Sequence, residues 1–250
     1  MQSLHKKNKF SLSKSWIYAE AMAENRRKWE FRPTGSHLYH YAGNNPIKYI
    51  DPDGNKIIVI FKYYDERSRR NQHKEFVWDN KNNCFRTKYL RRIVTGETFA
   101  KDIADCIIYL KNSEYATSLI NAIDKKGKTF IENTQGDSET RYDNFGNAII
   151  YFNESQWLDL KDGKGSKNST ALDLGHEFVH AYEQVVLGTY AKNFHDENVP
   201  NGFKNKAEKN AVENTNKMAG ELKEAIRFDY ETARPQNRNG NSVTDFVNNQ

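Results

Sequence analysis

Cysteine is almost missing from this chain: Cys84 and Cys106 are the only two in 250 residues. That excludes a disulfide framework and a C-x-x-C metal or redox pair, and it leaves the expectation of two ordinary thiols in a reducing compartment. Long apolar runs are lacking as well. The longest, such as IIVIF at 57–61, fall far short of the roughly 20 residues that cross a bilayer. The opening MQSLHKKNKFSLSKSWIY has early positive charge but no apolar stretch behind it, so no conventional signal peptide is expected. Charge of one sign is also scarce. A net +5 from 38 basic and 33 acidic residues argues only weakly for a nucleic-acid partner, and the RSRR run at 67–70 reads as solvated surface. What the chain does have is 37% hydrophobic residues with 14 Tyr and 14 Phe, enough for a core, and a mean hydropathy of -0.92 that implies a very polar surface.

The apolar spacing predicts a helix over 13–29, carrying Trp16, Met22 and Trp29, which Pro33 and Gly35 end. Residues 37–54, HLYHYAGNNPIKYIDPDG, alternate aromatics with turn formers and read as short strands between turns. Asp51, Asp53 and Asn55 lack the spacing and closing Glu of a calcium loop. The string YHYAGNNPIKYIDPDG resembles the closing segment of the Rhs-repeat-associated core, the junction after which a variable toxin domain begins in polymorphic toxin systems. The resemblance covers about 20 residues and implies an effector domain from about Asn55 onward.

Beyond that point the pattern predicts strands over 56–64, 85–95, 129–133 and 147–153, with charge-rich exposed chain between the first two. Helical spacing recurs over 98–110 and 114–123. A loop at 161–169 leads into a helix over 170–187 that Gly188 stops, with Asn168, Ser169 or Thr170 as its cap. A second long helix is expected from about Asn205 to Tyr230. The domain reading is therefore an N-terminal helix and junction segment at 1–55, an effector domain at 56–235, and a polar, poorly ordered tail at 236–250.

The chemistry lies in ALDLGHEFVHAY, 171–182. His176-Glu177-x-x-His180 on a helix puts two imidazoles one turn apart on one face with a carboxylate beside them. The apolar neighbours Leu172, Leu174, Phe178 and Val179 would bury the histidines, which favours the neutral imidazole that zinc binds. A hydrolytic zinc site takes three protein ligands and keeps one position open. The third ligand is expected from the acidic segment downstream. Glu208 is preferred and Glu213 is the alternative, while His195, Asp196 and Glu197 lie in the intervening loop. Glu177 is placed to act as general base. Arg227 and Tyr230, three apart, would share a face of a continuing helix and could donate to a developing oxyanion.

Residues 130–235 look like a family of zinc metallopeptidase effectors that enteropathogens inject into host cells and that also occur as Rhs toxin tips. LGHEFVHAY at 174–182, AEKNAV at 207–212, Asn216 and R-x-x-Y at 227–230 carry the likeness. It implies an α+β fold, a small mixed or antiparallel sheet with a zincin-like helical core bearing the motif. It also implies Zn²⁺ held by His176, His180 and Glu208, with Glu177 as base. The R-x-x-Y is similar to the arginine and tyrosine that clostridial neurotoxin proteases place over their zinc, which implies donor roles for Arg227 and Tyr230. The expected activity is endopeptidase cleavage of a protein in a target cell, reached by secretion or injection without a signal peptide, with an immunity protein as a possible partner. The competing classes are a non-catalytic Rhs-associated binding domain and a metal-dependent nuclease toxin.

Overall fold

The computed structural model describes residues 56–88, 92–94, 98–160, 165–230, 233–237 and 243. The helix expected over 13–29 and the junction segment at 37–54 lie outside the described residues. Nine strands and five α-helices are assigned among the described residues.

The fold is α+β, and its main sheet is mixed. Strands β1 (Ile57–Asp65) and β2 (Arg70–Asp79) form an antiparallel hairpin with Ile58 opposite Val77, and β3 (Cys84–Thr87) extends it. On its other edge β1 runs parallel to β4 (Thr129–Asn133), β4 runs parallel to β6 (Ala148–Phe152), and β5 (Glu139–Tyr142) closes antiparallel on β6. The order is β3-β2-β1-β4-β6-β5, which leaves β5 at an edge. Register puts Val59 beside Ile131 and Ile131 beside Ile150, so the apolar members of alternate positions share one face.

Helices α1 (Thr98–Leu110), α2 (Glu114–Lys126) and α3 (Thr170–Tyr182) bury their apolar residues in the same core as that face. Ile103, Ile107, Ile120 and Ile123 meet Ile57, Val59, Ile131, Ile150 and Phe152 there. Helix α3 is buried almost all round, the signature of a central helix, and its entry is fixed by Ser169, whose hydroxyl accepts from the Leu172 amide at 3.1 Å. A Cβ on Gly175 would sit 3.0 Å from Met218 Sδ and 3.2 Å from Leu110 Cδ2, so a residue without a side chain lets α3 press against its neighbours immediately before His176.

After Tyr182 the helix does not continue in α form to Gly188. Glu183–Leu187 is a π-turn, and Gly188 follows at φ +65°. A short α4 (Tyr190–Phe194) precedes α5 (Lys206–Leu222). A second sheet, β8 (Lys167–Asn168), β7 (Gln156–Asp159) and β9 (Arg234–Asn237), is antiparallel in the order β8-β7-β9.

Several expectations need correction. The exposed chain expected before residue 85 contains β2, whose first five residues have no buried side chain and which is held by pairing with β1 rather than by its own apolar pattern. Of the strand expected over 85–95, residues 85–87 belong to β3 and Ile93 makes a bridge to Arg86, while 89–91 and 95 lie outside the described residues. The helix expected to reach Tyr230 stops at Leu222, where Lys223 turns left-handed at φ +60°. ELKEAI has strong helix formers, but Glu224 is drawn away: its carboxylate accepts from the Ser169 hydroxyl and amide and from Tyr109 Oη. Tertiary contacts override local propensity there.

Candidate metal centre

Two elements build the site. Helix α3 carries His176 and His180 one turn apart, and α5 carries Glu208 in its first turn. Asn205 caps α5 by accepting from the Glu208 amide at 3.0 Å, which fixes the turn that aims the carboxylate. The positive end of the helix also favours its ionised form.

Among the described residues, His176, His180 and Glu208 form the one group of three side chains able to hold a metal ion, each offering an atom within 4.8 Å of the others. The two Nε2 atoms are 3.2 Å apart, and Glu208 Oε2 lies 3.2 Å from His176 Nε2 and 3.5 Å from His180 Nε2. Tetrahedral zinc with bonds of about 2.0–2.1 Å sets neighbouring ligand atoms roughly 3.3 Å apart. The three observed edges fit that triangle, and two imidazole nitrogens with one carboxylate oxygen are a hydrolytic zinc donor set. Glu213, the alternative ligand, is exposed and ion-paired with Lys209 at 3.2 Å, one helical turn back.

The electrostatics call for a cation. Burial pulls His176 down to about 4 despite the hydrogen bond to Glu208. Burial acts the same way on His180, but its bond to Glu208 and that carboxylate's charge outweigh it and the imidazole is shifted up. Burial pushes the Glu208 carboxyl up, yet the hydrogen bonds from both histidines more than offset this and hold it well below the usual carboxylate range. An ionised carboxylate facing two buried rings is stabilised by positive charge placed among them, which a divalent ion held by all three would supply.

Glu177 is buried beside the histidines on α3. Burial pushes its carboxyl up to about 8. Its Oε2 is 2.6 Å from Thr140 Oγ1 on edge strand β5, and the same hydroxyl lies 3.2 Å from the Glu177 carbonyl oxygen. One hydroxyl hydrogen cannot serve both at once. A protonated Glu177 satisfies the pair by donating to Thr140, which then donates to the carbonyl; an ionised Glu177 takes the Thr140 hydrogen itself.

Tyr190 lay outside the residues singled out from the sequence. Its ring stands edge-on to His180, centroids 5.3 Å apart, and its hydroxyl donates to the Thr140 carbonyl at 3.0 Å. Aromatic spacing in α4 carries no signal for this, because the contact depends on how α4 folds back over β5.

Arg227 and Tyr230 reach the site by a route other than a shared helical face. The chain beyond Lys223 turns back, and Asn216 of α5 grips it: Arg227 N donates to Asn216 Oδ1 at 2.9 Å, and Asn216 Nδ2 donates to Arg227 O at 2.6 Å. Tyr230 N donates to Gly202 O at 2.9 Å, fixing the far end. The Tyr230 ring then lies 6.2 Å from the His176 ring, with Lys204 Nζ 4.5 Å from its centroid and the Arg227 guanidinium carbon 5.7 Å. Burial and then the nearby Glu208 and Glu177 raise the Tyr230 hydroxyl, so it stays protonated. Arg227 is buried, with Asp173 its foremost opposing charge.

No family model matches the chain, and no curated protein matches it by sequence.

Proposed function

We propose that this protein is a zinc-dependent endopeptidase, acting as a signal-peptide-independent effector or toxin on a protein of a target cell. The observation that carries the metal reading is the triangle of His176 Nε2, His180 Nε2 and Glu208 Oε2, with edges of 3.2, 3.2 and 3.5 Å. The buried acid beside it supports hydrolysis. The Rhs-like segment and the effector-like motifs support the biological setting.

His176, His180 and Glu208 would hold the ion. When bound, zinc polarises a carbonyl oxygen and lowers the pKa of water toward neutrality. Glu177 takes a proton from the attacking water as its oxygen bonds to the carbonyl carbon, then passes that proton to the amide nitrogen as the C–N bond breaks. Thr140 orients the Glu177 carboxylate and accepts or donates as its charge changes. Tyr230 donates its hydroxyl hydrogen to the carbonyl oxygen as negative charge develops there, and Arg227 adds positive charge behind it.

The test is elemental analysis of purified protein beside His180→Ala, Glu208→Ala and Glu213→Ala. About one zinc per chain is expected in the parent and in Glu213→Ala, with a large loss in the other two. A proteomic cleavage screen follows, with Glu177→Gln as the inactive control. Retention of full zinc content by Glu208→Ala would overturn the ligand assignment, and identical peptide profiles for the parent and Glu177→Gln would overturn the peptidase assignment.

A further inference from the structure

Glu183 is a buried carboxylate that the reaction above does not use. It opens the π-turn directly after α3 and is 4% exposed. Its Oε1 is held by two side-chain amides from different elements, Asn193 Nδ2 of α4 at 3.0 Å and Asn210 Nδ2 of α5 at 2.7 Å. Its Oε2 is buried without a hydrogen-bond partner. One turn earlier on the same chain, His180 presents Nε2 to Glu208 while its Nδ1 is likewise buried without a partner. A carboxylate oxygen wants a donor, and an imidazole bound through Nε2 carries its hydrogen on Nδ1 and wants an acceptor. Buried polar atoms left alone are costly, and here two of opposite kind stand three residues apart, a spacing that makes helical neighbours. The negative charge of Glu183 acts on both the His180 ring and on Tyr190 beside it.

We propose that Glu183 is a positioning residue for His180, its Oε2 accepting from His180 Nδ1 through one bridging water. This rests on the metal-centre reading above. Asn193 and Asn210 would hold the carboxylate by its other oxygen, so α4 and α5 both fix the ring's tautomer and direction. Such outer carboxylates raise the basicity of a ligating imidazole, and their loss typically weakens metal binding about 10–100-fold. Residue 179, one turn after His176, is Val179, so no matching carboxylate follows the first histidine.

Zinc affinity of the full chain, measured by chelator competition for the parent and Glu183→Gln, tests this, together with urea unfolding of both metal-free proteins. Gln keeps the oxygen for Asn193 and Asn210 but turns a donor toward His180 Nδ1. The expected result is a Kd for zinc raised about 10–100-fold, a shifted d–d absorption in the Co²⁺-loaded protein, and a metal-free unfolding midpoint close to the parent's. A Kd within twofold of the parent overturns the proposal. Should Glu183→Gln not fold, Asn193→Ala and Asn210→Ala release the carboxylate without changing charge; each is expected to weaken zinc several-fold, and an unchanged Kd in both overturns it. A parent that binds no zinc sinks the metal centre itself, whereas a zinc-binding parent matched by Glu183→Gln sinks this inference alone.

Discussion

Glu177 shows how much one side chain's surroundings decide. An unfolded glutamate ionises near pH ~4.3, whereas burial pushes this one up to about 8 in the metal-free fold. Between those values the folded chain keeps a proton that the unfolded chain releases, so stability that is full below the unfolded pKa is lost as pH rises through the folded one. Glutamine has no proton to lose. Metal-free Glu177→Gln is therefore expected to lie close to the parent in urea at pH 4 and to exceed it by about 2–4 kcal/mol at pH 8. Equal midpoints at both values would show that Glu177 is ionised without cost. Thr140 gives the complementary test. Thr140→Val removes the hydroxyl 2.6 Å from Glu177 Oε2 while leaving the three proposed ligands untouched. Losing one such bond costs about 0.5–1.5 kcal/mol, so turnover is expected to fall roughly tenfold with zinc content unchanged; a loss of zinc would instead make Thr140 part of the scaffold. The pairing of His176 with His180 was legible in the sequence because a four-residue interval on a helix puts two side chains on one face, whereas nothing local in the sequence decides between Glu208 and Glu213 as the third member of the cluster. Thr140 was not legible either, since nothing in ETRY marks that its threonine faces another element.

At the scale of elements, the decisive feature is the end of α5. Helical patterning extended it to Tyr230, and the sequence could not show that Glu224 would leave the helix to bind Ser169 and Tyr109. Asn216 was visible as a motif member, but its role appears only with the turn in place: its amide pairs with both backbone groups of Arg227 like a strand neighbour. Asn216→Ala should free the 223–230 segment. Two backbone groups would lose partners, at about 1–3 kcal/mol each if they stay buried. Trypsin is the natural probe, because Lys223 and Arg227 flank the turn and Arg227 is only 5% exposed. Cleavage after Arg227 is expected to accelerate at least tenfold in Asn216→Ala, with zinc content near the parent's; an unchanged cleavage rate would mean that the Gly202 contact alone secures the segment.

The described residues join a sheet-and-helix core to a site that the late 223–230 segment lies against. Its α+β character and the central strands were readable, because IIVIF, TFIEN and NAIIYFN are apolar enough to announce buried strands. Strands β2, β5, β7, β8 and β9 were not, because they are short or polar and exist through pairing with neighbours. The same division governs how metal should affect stability. His176 and His180 lie on α3, which is embedded in the core, while Glu208 lies 28 residues beyond His180 on α5. An ion held by all three binds the folded chain and has no preformed site in the unfolded one. At free zinc 100 times its Kd the linkage adds about 2.7 kcal/mol, which for a domain of this size is roughly 5–10 °C in Tm. Differential scanning fluorimetry with zinc against chelator should show that rise in the parent, and Glu208→Ala should show almost none of it. If the parent's Tm is indifferent to zinc while its metal content is stoichiometric, the folded and unfolded chains bind the ion alike, and the joining of α3 to α5 through metal is wrong.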